Sequence, residues 1–275
     1  MLQITKSDVV AAPFPHVVKQ DIIDPSLFAA LRADFPGVSV FKEQIATNGL
    51  VGSRTGSGFD IYRGDPHFTA LTERSAAWKE FGDYVNSEAF VDTFRSVFAD
   101  HLGDIGLKVD IGASRVDPSY VEPRETMKEL ASTRDKIDGF ANKVLSPLRG
   151  RAPVDLFTRL DIHKSTGGYA KPAHCDRPNR LCSLIVYFTD PDEVGMSGGD
   201  LFVYKHKQDK PVTSYERHPR PENVDIVATI RPKPNLGVFF PCQNNSYHGV
   251  SAITSQGAER DFLYINISGR KASLW

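Results

Sequence analysis

Cysteine, long apolar runs and an excess of charge of one sign are all scarce in this sequence, and each shortage excludes a class of protein. Three of its 275 residues are cysteine, Cys175, Cys182 and Cys242, with no CxxC pair and no zinc-finger spacing. A set this sparse is typical of a reducing compartment rather than of a disulfide framework. The formal net charge of -1, without a basic stripe, argues against a nucleic-acid partner.

Apolar stretches stay short throughout the chain. No window approaches the roughly 18 to 20 apolar residues of a membrane span. The N-terminus lacks the basic region and following apolar region of a signal peptide. We therefore expect a cytoplasmic protein with no membrane partner.

The first half of the sequence is predicted to be mainly helical. Asp24 can cap a helix that begins at Pro25, and a second helical region runs from about Thr69 to Leu102. Between them, residues 48–66 contain five glycines and predict a loop, either a lid over an active site or a surface excursion. Residues 123–145 are partly helical by composition.

From Val154 onward the pattern changes to short β-strands separated by Gly, Pro, Asn and Asp. Many short strands without intervening helices indicate an antiparallel sandwich or barrel, of which the jelly roll is the natural member. We predict a single domain over 1–275, mainly β with a helical N-terminal layer. Residues 1–150 form that layer, and 151–270 form a double-stranded β-helix core, the cupin-like jelly roll. The predicted strands lie in VDLFTRLDIHKS, LCSLIVYFTD, DLFVYKHK, DIVATIRP, NLGVFFP, YHGVSAI and DFLYINIS.

Three residues in these strands can form a metal site. His174 and Asp176 are two positions apart, so on an extended segment their side chains point to the same side. His248 lies on a later strand that a barrel can bring across from the first. Two His and one carboxylate on one face form the facial triad of non-haem Fe(II) oxygenases, which leaves coordination positions open for a 2-oxo acid and O2.

A cation for the far end of a dicarboxylic co-substrate follows in the sequence. Arg260 lies twelve positions after His248, and a guanidinium has the fork geometry that a buried carboxylate needs. Tyr264 points the same way on the same strand and could add a hydroxyl. The alternative for Arg260 is a surface salt bridge with Glu259 or Asp261.

These pieces resemble the Fe(II)/2-oxoglutarate-dependent dioxygenases, in particular the prolyl-4-hydroxylase-like branch, over about residues 155–268. In this sequence Arg260 comes about two positions later than the family spacing, so Arg270 is the second candidate for the co-substrate cation. The N-terminal half carries no motif of the family. The matching pieces are HCD at 174–176, SGGDLFVY at 197–204, NLGVFFP at 235–241, YHGV at 247–250 and the Arg at 260.

The resemblance implies Fe(II) as cofactor and 2-oxoglutarate and O2 as co-substrates, with His174, Asp176 and His248 as metal ligands. The implied reaction is hydroxylation of an unactivated C–H bond, with release of succinate and CO2. The substrate is expected to be a small molecule, such as an amino acid or a natural-product intermediate. One alternative is a peptidyl or protein hydroxylase of the prolyl-hydroxylase type. An alternative of another class is a non-redox cupin-like isomerase or metal-binding protein.

Substrate contacts are the least determined part of the site. Arg177, Asn179 and Arg180 directly follow the metal hairpin and either line the substrate side of the pocket or form a charged turn. Arg54, in the glycine-rich loop, could reach an anionic substrate. Cys175 lies between two ligands and should point away from the metal. His163 forms a DxH pair with Asp161 but is expected to be an ordinary sheet residue.

Overall fold

The computed structural model describes residues 1–48, 58–123, 151–209, 211 and 214–275. The predicted partial helix over 123–145 falls almost entirely outside these residues, and so does Arg54. Within the described part of the chain, no helix is long and apolar enough to span a membrane.

The described part of the first hundred residues contains five α-helices. The predicted cap of the first is present, because Asp24 Oδ1 accepts hydrogen bonds from the backbone N–H groups of Ser26 and Leu27, at 3.0 and 3.2 Å. The helical region predicted over residues 69–102 is divided into three helices. The helices are α1 (Pro25–Ala33), α2 (Val38–Asn48), α3 (Pro66–Arg74), α4 (Ala76–Val85) and α5 (Glu88–Val97).

The strands form the two sheets of a jelly roll, and each of the seven predicted runs contains one. The larger sheet has the order β1-β9-β6-β11-β4-β2, with β3 parallel to β4, and the smaller sheet has the order β5-β10-β7-β8. The strands are β1 (Val17–Lys19), β2 (Gly58–Tyr62), β3 (Arg115–Val116), β4 (Asp155–Ser165), β5 (Lys171–His174), β6 (Arg180–Tyr187), β7 (Leu201–His206), β8 (Val224–Ile230), β9 (Gly237–Pro241), β10 (His248–Val250) and β11 (Arg260–Gly269).

The loop prediction over residues 48–66 is wrong for its second half. Residues 58–62 form β2, which pairs antiparallel with β4 along the edge of the larger sheet. Pairing satisfies the edge of β4 and buries Ile61 and Tyr62, and this tertiary gain overrides a glycine-rich local sequence. At the opposite edge of the sheet, β1 pairs with β9. The N-terminal region therefore supplies both edge strands as well as the helical layer.

Aromatic side chains join the helical layer to the larger sheet. Phe239 on β9 is fully buried and is contacted by Phe90, Phe94 and Phe98, with ring centroids 6.2, 6.0 and 5.2 Å away. Full burial of one such side chain stabilises the fold by roughly 1.5 to 3 kcal/mol. The helices thus pack on the outer face of the larger sheet, whose inner face contributes part of the site described below.

A glycine pair before β7 fixes how this strand enters the smaller sheet. Gly198 and Gly199 both have positive φ, +80° and +77°. A Cβ built on Gly198 would lie 1.8 Å from the carbonyl oxygen of Ala252, and one on Gly199 would lie 3.3 Å from Cδ of Arg260. At Gly198 the chain therefore passes too close to the backbone of Ala252 for any side chain, and at Gly199 the positive φ itself favours glycine.

We expect Gly198→Ala to lower the free energy of unfolding by about 3 kcal/mol or more, because backbone strain and a backbone clash add. Gly195 is the matched control, since it also has positive φ (+60°) but open space around it. Gly195→Ala should cost only about 1 kcal/mol, the strain alone. Denaturant unfolding measures both variants. Equal losses in the two would show that the close approach to Ala252 does not matter.

Candidate active site

The structure brings His174, Asp176 and His248 together at one end of the smaller sheet. His174 ends β5, Asp176 follows two residues later, and His248 begins β10, directly paired with His174. One ligand atom from each residue lies within 4.8 Å of those of the other two, and all three residues are buried. The Nε2 atom of His248 is 3.9 Å from Oδ2 of Asp176.

Backbone carbonyls orient both imidazole rings. Nδ1 of His174 lies 3.0 Å from the carbonyl oxygen of Pro172, and Nδ1 of His248 lies 3.0 Å from that of Ser246. A carbonyl can only accept, so each ring carries its proton on Nδ1 and presents a bare Nε2 to the centre. Nε2 of His174 is buried and has no hydrogen-bond partner.

Four neighbouring side chains contact the carboxylate of Asp176. Its Oδ1 accepts from the Tyr264 hydroxyl at 2.9 Å and from Arg180 at 3.0 Å, and its Oδ2 accepts from Ser183 at 2.7 Å. The Cys242 thiol lies 3.6 Å from the same Oδ2. These contacts hold the carboxylate in its orientation toward the two imidazoles.

The charge states of the three side chains are those that a metal ion requires. Burial lowers the pKa of His174 and His248, so both rings are neutral near pH 7. Burial alone would raise the pKa of Asp176, but Arg180 leads a set of charges that hold it well below its usual range. Neutral imidazoles and an ionised carboxylate bind a metal without first losing protons.

We expect Tyr264→Phe to weaken Fe(II) binding by about tenfold to a hundredfold, because the hydroxyl orients a metal-facing carboxylate. Fe(II) titration under anaerobic conditions measures the change, and circular dichroism should show an intact fold. Tyr204→Phe is the control, since Tyr204 lies on β7 outside the site. A Tyr264→Phe protein with unchanged affinity would mean that Arg180 and Ser183 suffice to hold Asp176.

Among the residues that the structure describes, Arg260 is the largest charged side chain that is completely buried, at 1% exposure. Its guanidinium carbon lies 4.5 Å from the ring centre of Phe262 and 5.0 Å from that of Tyr187. Its Nε and Nη1 atoms and the Tyr187 hydroxyl are buried without a hydrogen-bond partner among the residues that the structure describes. Buried donors without partners reduce the stability of a fold, and together these donors indicate the binding site of an anionic ligand.

Arg260 does not form the surface salt bridge that was the alternative expectation for it. Glu259 and Asp261 both pair with Lys164 instead, at 2.8 and 2.5 Å. Arg270, the second candidate for the co-substrate cation, lies at the surface, where it is 3.5 Å from Asp117.

The structure places Tyr264 and the residues after the hairpin around Asp176 and the end of β11. The Tyr264 hydroxyl contacts Asp176 and Arg180 rather than the neighbourhood of Arg260. Arg180 contacts Asp176, and Arg177 is half-buried beside it. Asn179 is buried, and its backbone carbonyl accepts from Gly269 at 2.9 Å, which ties the hairpin to the end of β11.

A buried ion network lines β4 of the larger sheet. Arg159 contacts Asp161, Glu122 and Asp60 at 2.6, 3.1 and 3.5 Å. Burial raises the pKa of Asp161 to about 6 even though Arg159 opposes it. On the same strand, His163 stacks on Phe262 with ring centroids 4.9 Å apart, and burial lowers its pKa to about 4. His163 lies outside the three-residue metal cluster.

Together, a jelly roll and a buried two-His, one-carboxylate face define a class of protein, the non-haem iron oxygenases. The residues fit the groups this class requires, because His174 Nε2 lacks a partner where a metal would bind and Arg260 lacks one where a carboxylate would. Residues 160–267 match the model of the 2OG-Fe(II) oxygenase superfamily. The matched segment contains all three metal-facing residues and Arg260, and it is similar to dioxygenases that use Fe(II), 2-oxoglutarate and O2.

Solved structures match this chain only at low identity. A Pseudomonas putida prolyl-4-hydroxylase is 14% identical, with 93% of this chain and 92% of that chain covered and a TM-score of 0.44. The auxin-oxidising dioxygenase 1 of Arabidopsis thaliana, in complex with 2-oxoglutarate, is 10% identical, with coverages of 94% and 85% and a TM-score of 0.48. A prolyl 4-hydroxylase from Phytophthora capsici is 16% identical with a TM-score of 0.44; 93% of this chain is covered, but only 59% of that protein. No curated protein matches the sequence.

Proposed function

We propose that this protein hydroxylates an unactivated C–H bond of a small molecule, such as an amino acid or a natural-product intermediate, and releases succinate and CO2. His174, Asp176 and His248 hold Fe(II), and Arg260 with Tyr187 binds the distal carboxylate of 2-oxoglutarate. The observation that carries the proposal is the pairing of a buried facial triad with a buried, unpartnered Arg260 inside one barrel. The helical layer and the barrel act as one unit in this proposal, since described residues of both pack in one large hydrophobic cluster.

Each residue has a distinct task in this proposal. When bound, the iron supplies O2 activation coupled to decarboxylation of the 2-oxo acid. The carbonyls of Pro172 and Ser246 keep both imidazole Nε2 atoms directed at the centre. Ser183, Tyr264 and Arg180 keep Asp176 ionised and oriented. The apolar walls around Arg260, among them Phe262, exclude water from its contact with a carboxylate and so strengthen that contact.

Anaerobic addition of Fe(II) and then 2-oxoglutarate tests the proposal, with a weak visible charge-transfer band as the expected result. Admission of O2 should then yield succinate, and mass spectrometry of a small-molecule panel should find a product that has gained one oxygen atom. Tight Zn(II) or Mn(II) binding without a band or succinate would instead support the isomerase alternative. Oxygen gain confined to peptides would support the peptidyl hydroxylase.

A further inference from the structure

Lys171 places a second cation inside the barrel, beside the metal cluster. It begins β5, and its pairing with β10 is irregular, because Val250 is opposite Lys171 while His248 is opposite His174. A bulge of this kind redirects a side chain. The Lys171 ammonium reaches across from the smaller sheet to lie 5.9 Å from the ring centre of Tyr264 on the larger sheet. Tyr264 in turn contacts Asp176.

The Lys171 ammonium is not paired with a carboxylate of the described residues. Among the described residues no ion pair or hydrogen bond joins it to another side chain, and the nearby Asp176 is already contacted by Arg180, Tyr264 and Ser183. A metal ion on Asp176 would cancel most of the attraction that remains. A half-buried ammonium in this position is costly unless an anion accompanies it.

Arg217 adds positive charge at the same place. Its carbonyl accepts a hydrogen bond from the backbone N–H of Cys175 at 2.9 Å, so its loop is fastened to the metal hairpin. Its Nε is buried and has no partner among the described residues. Burial lowers the pKa of Lys171 to about 8, and Arg180, Arg217 and Arg177 contribute in the same direction, which puts these cations within electrostatic reach of one another.

2-Oxoglutarate does not account for this second cation. Arg260, which we assign to its distal carboxylate, is four residues from Tyr264 along β11, or about 13 Å between Cα atoms. Lys171 thus lies at the level of the metal cluster, where the co-substrate's other carboxylate is occupied by the metal in the proposed arrangement. The anion that would pair with Lys171 must therefore come from the substrate.

We propose that the substrate is a small carboxylic acid and that Lys171 binds its carboxylate, with Arg217 as the second cation. The inference rests on the proposed function and names its substrate class. Lys171 is a specificity-determining residue, which selects acids over neutral analogues of the same shape.

The test is a binding measurement in which no turnover occurs. Protein loaded with Fe(II) and 2-oxoglutarate under anaerobic conditions is titrated calorimetrically with small carboxylic acids, L-amino acids among them, each beside its primary amide. At least one acid should bind about tenfold or more tightly than its amide, since a charge-assisted contact is lost in the amide. Phosphate monoesters of similar size form a third arm and should bind no better than amides.

Variants decide whether Lys171 is responsible. Lys171→Gln should abolish the preference for the acid, and Lys171→Arg should retain it. Lys205→Gln, which removes an exposed lysine of β7, should behave as wild type. The proposal is overturned if no acid binds more tightly than its amide, if a phosphate monoester binds best, or if Lys171→Gln keeps the preference.

The visible band with 2-oxoglutarate separates this inference from the proposed function. We expect Lys171→Gln to keep the band and an unchanged 2-oxoglutarate Kd. If that variant alone loses the co-substrate, Lys171 serves 2-oxoglutarate, and the inference fails while the proposed function stands. If the wild type shows neither band nor succinate, the proposed function itself fails.

Discussion

Replacement of His248 with alanine should abolish Fe(II) binding, the visible band with 2-oxoglutarate and the formation of succinate. The side chain supplies one of three ligands, and two remaining ligands do not hold a divalent iron at micromolar concentration. Because the ring is buried between His174 and Phe240, with centroids 4.3 and 4.9 Å away, the fold should lose some stability as well. Anaerobic metal titration and succinate analysis measure the loss.

His101→Ala is the control for this variant. His101 lies just after α5 on the far side of the sheet and belongs to no metal-ligating cluster among the described residues. It should bind iron and form succinate as the wild type does. If the His248→Ala protein still gave the band, other residues would have to hold the metal, and the proposed function would lose its basis.

Arg260→Leu should raise the Kd for 2-oxoglutarate by roughly thirtyfold or more, since removal of one partner from a buried, hydrogen-bonded charge pair costs about 2 to 5 kcal/mol. Leucine keeps the apolar contacts to Tyr187 and Phe262, so the fold should persist. Fe(II) affinity should stay unchanged, because Arg260 does not contact the three metal-facing residues. Titration of the visible band with 2-oxoglutarate measures the effect.

Arg270→Leu is the matched control, ten positions along the same segment. Its guanidinium is partly exposed and lies 3.5 Å from Asp117 and 4.8 Å from the ring centre of Tyr120. Such a surface pair contributes about 0 to 1 kcal/mol, so co-substrate affinity should not change. The opposite pattern, loss with Arg270→Leu and none with Arg260→Leu, would assign the distal carboxylate to Arg270.

The barrel and its metal cluster could be predicted from sequence because both follow from local rules. Period-two alternation and turn residues located seven strands, and the spacing of His174 and Asp176 placed two side chains on one side. The edge strand β2 could not be predicted this way. Its pairing with β4 depends on a partner about a hundred residues away, and its glycine-rich approach looks like a loop.

The residues around the metal cluster were harder to predict than the cluster itself. Ser183 and Tyr187 lie four apart on one predicted strand, so alternation puts them on the same face, but it does not say which face meets Asp176. Lys171 could not be predicted as part of the site, because the sequence does not reveal the irregular pairing of β5 that turns its side chain inward. Alternation indicates that Tyr264 points the same way as Arg260, but its contact with Asp176 depends on the depth of each residue along β11.

The buried ion network on β4 also limits how much of the N-terminal region can be removed. Two of the three carboxylates around Arg159, Asp60 and Glu122, come from residues before 124, and so do both edge strands of the larger sheet. A fragment starting near residue 151 would keep every ligand of the proposed iron but would lose both of these carboxylates beside Arg159 and expose the two sheet edges that β1 and β2 cover. We therefore expect the barrel to need N-terminal residues both for its internal charge balance and for its sheet edges.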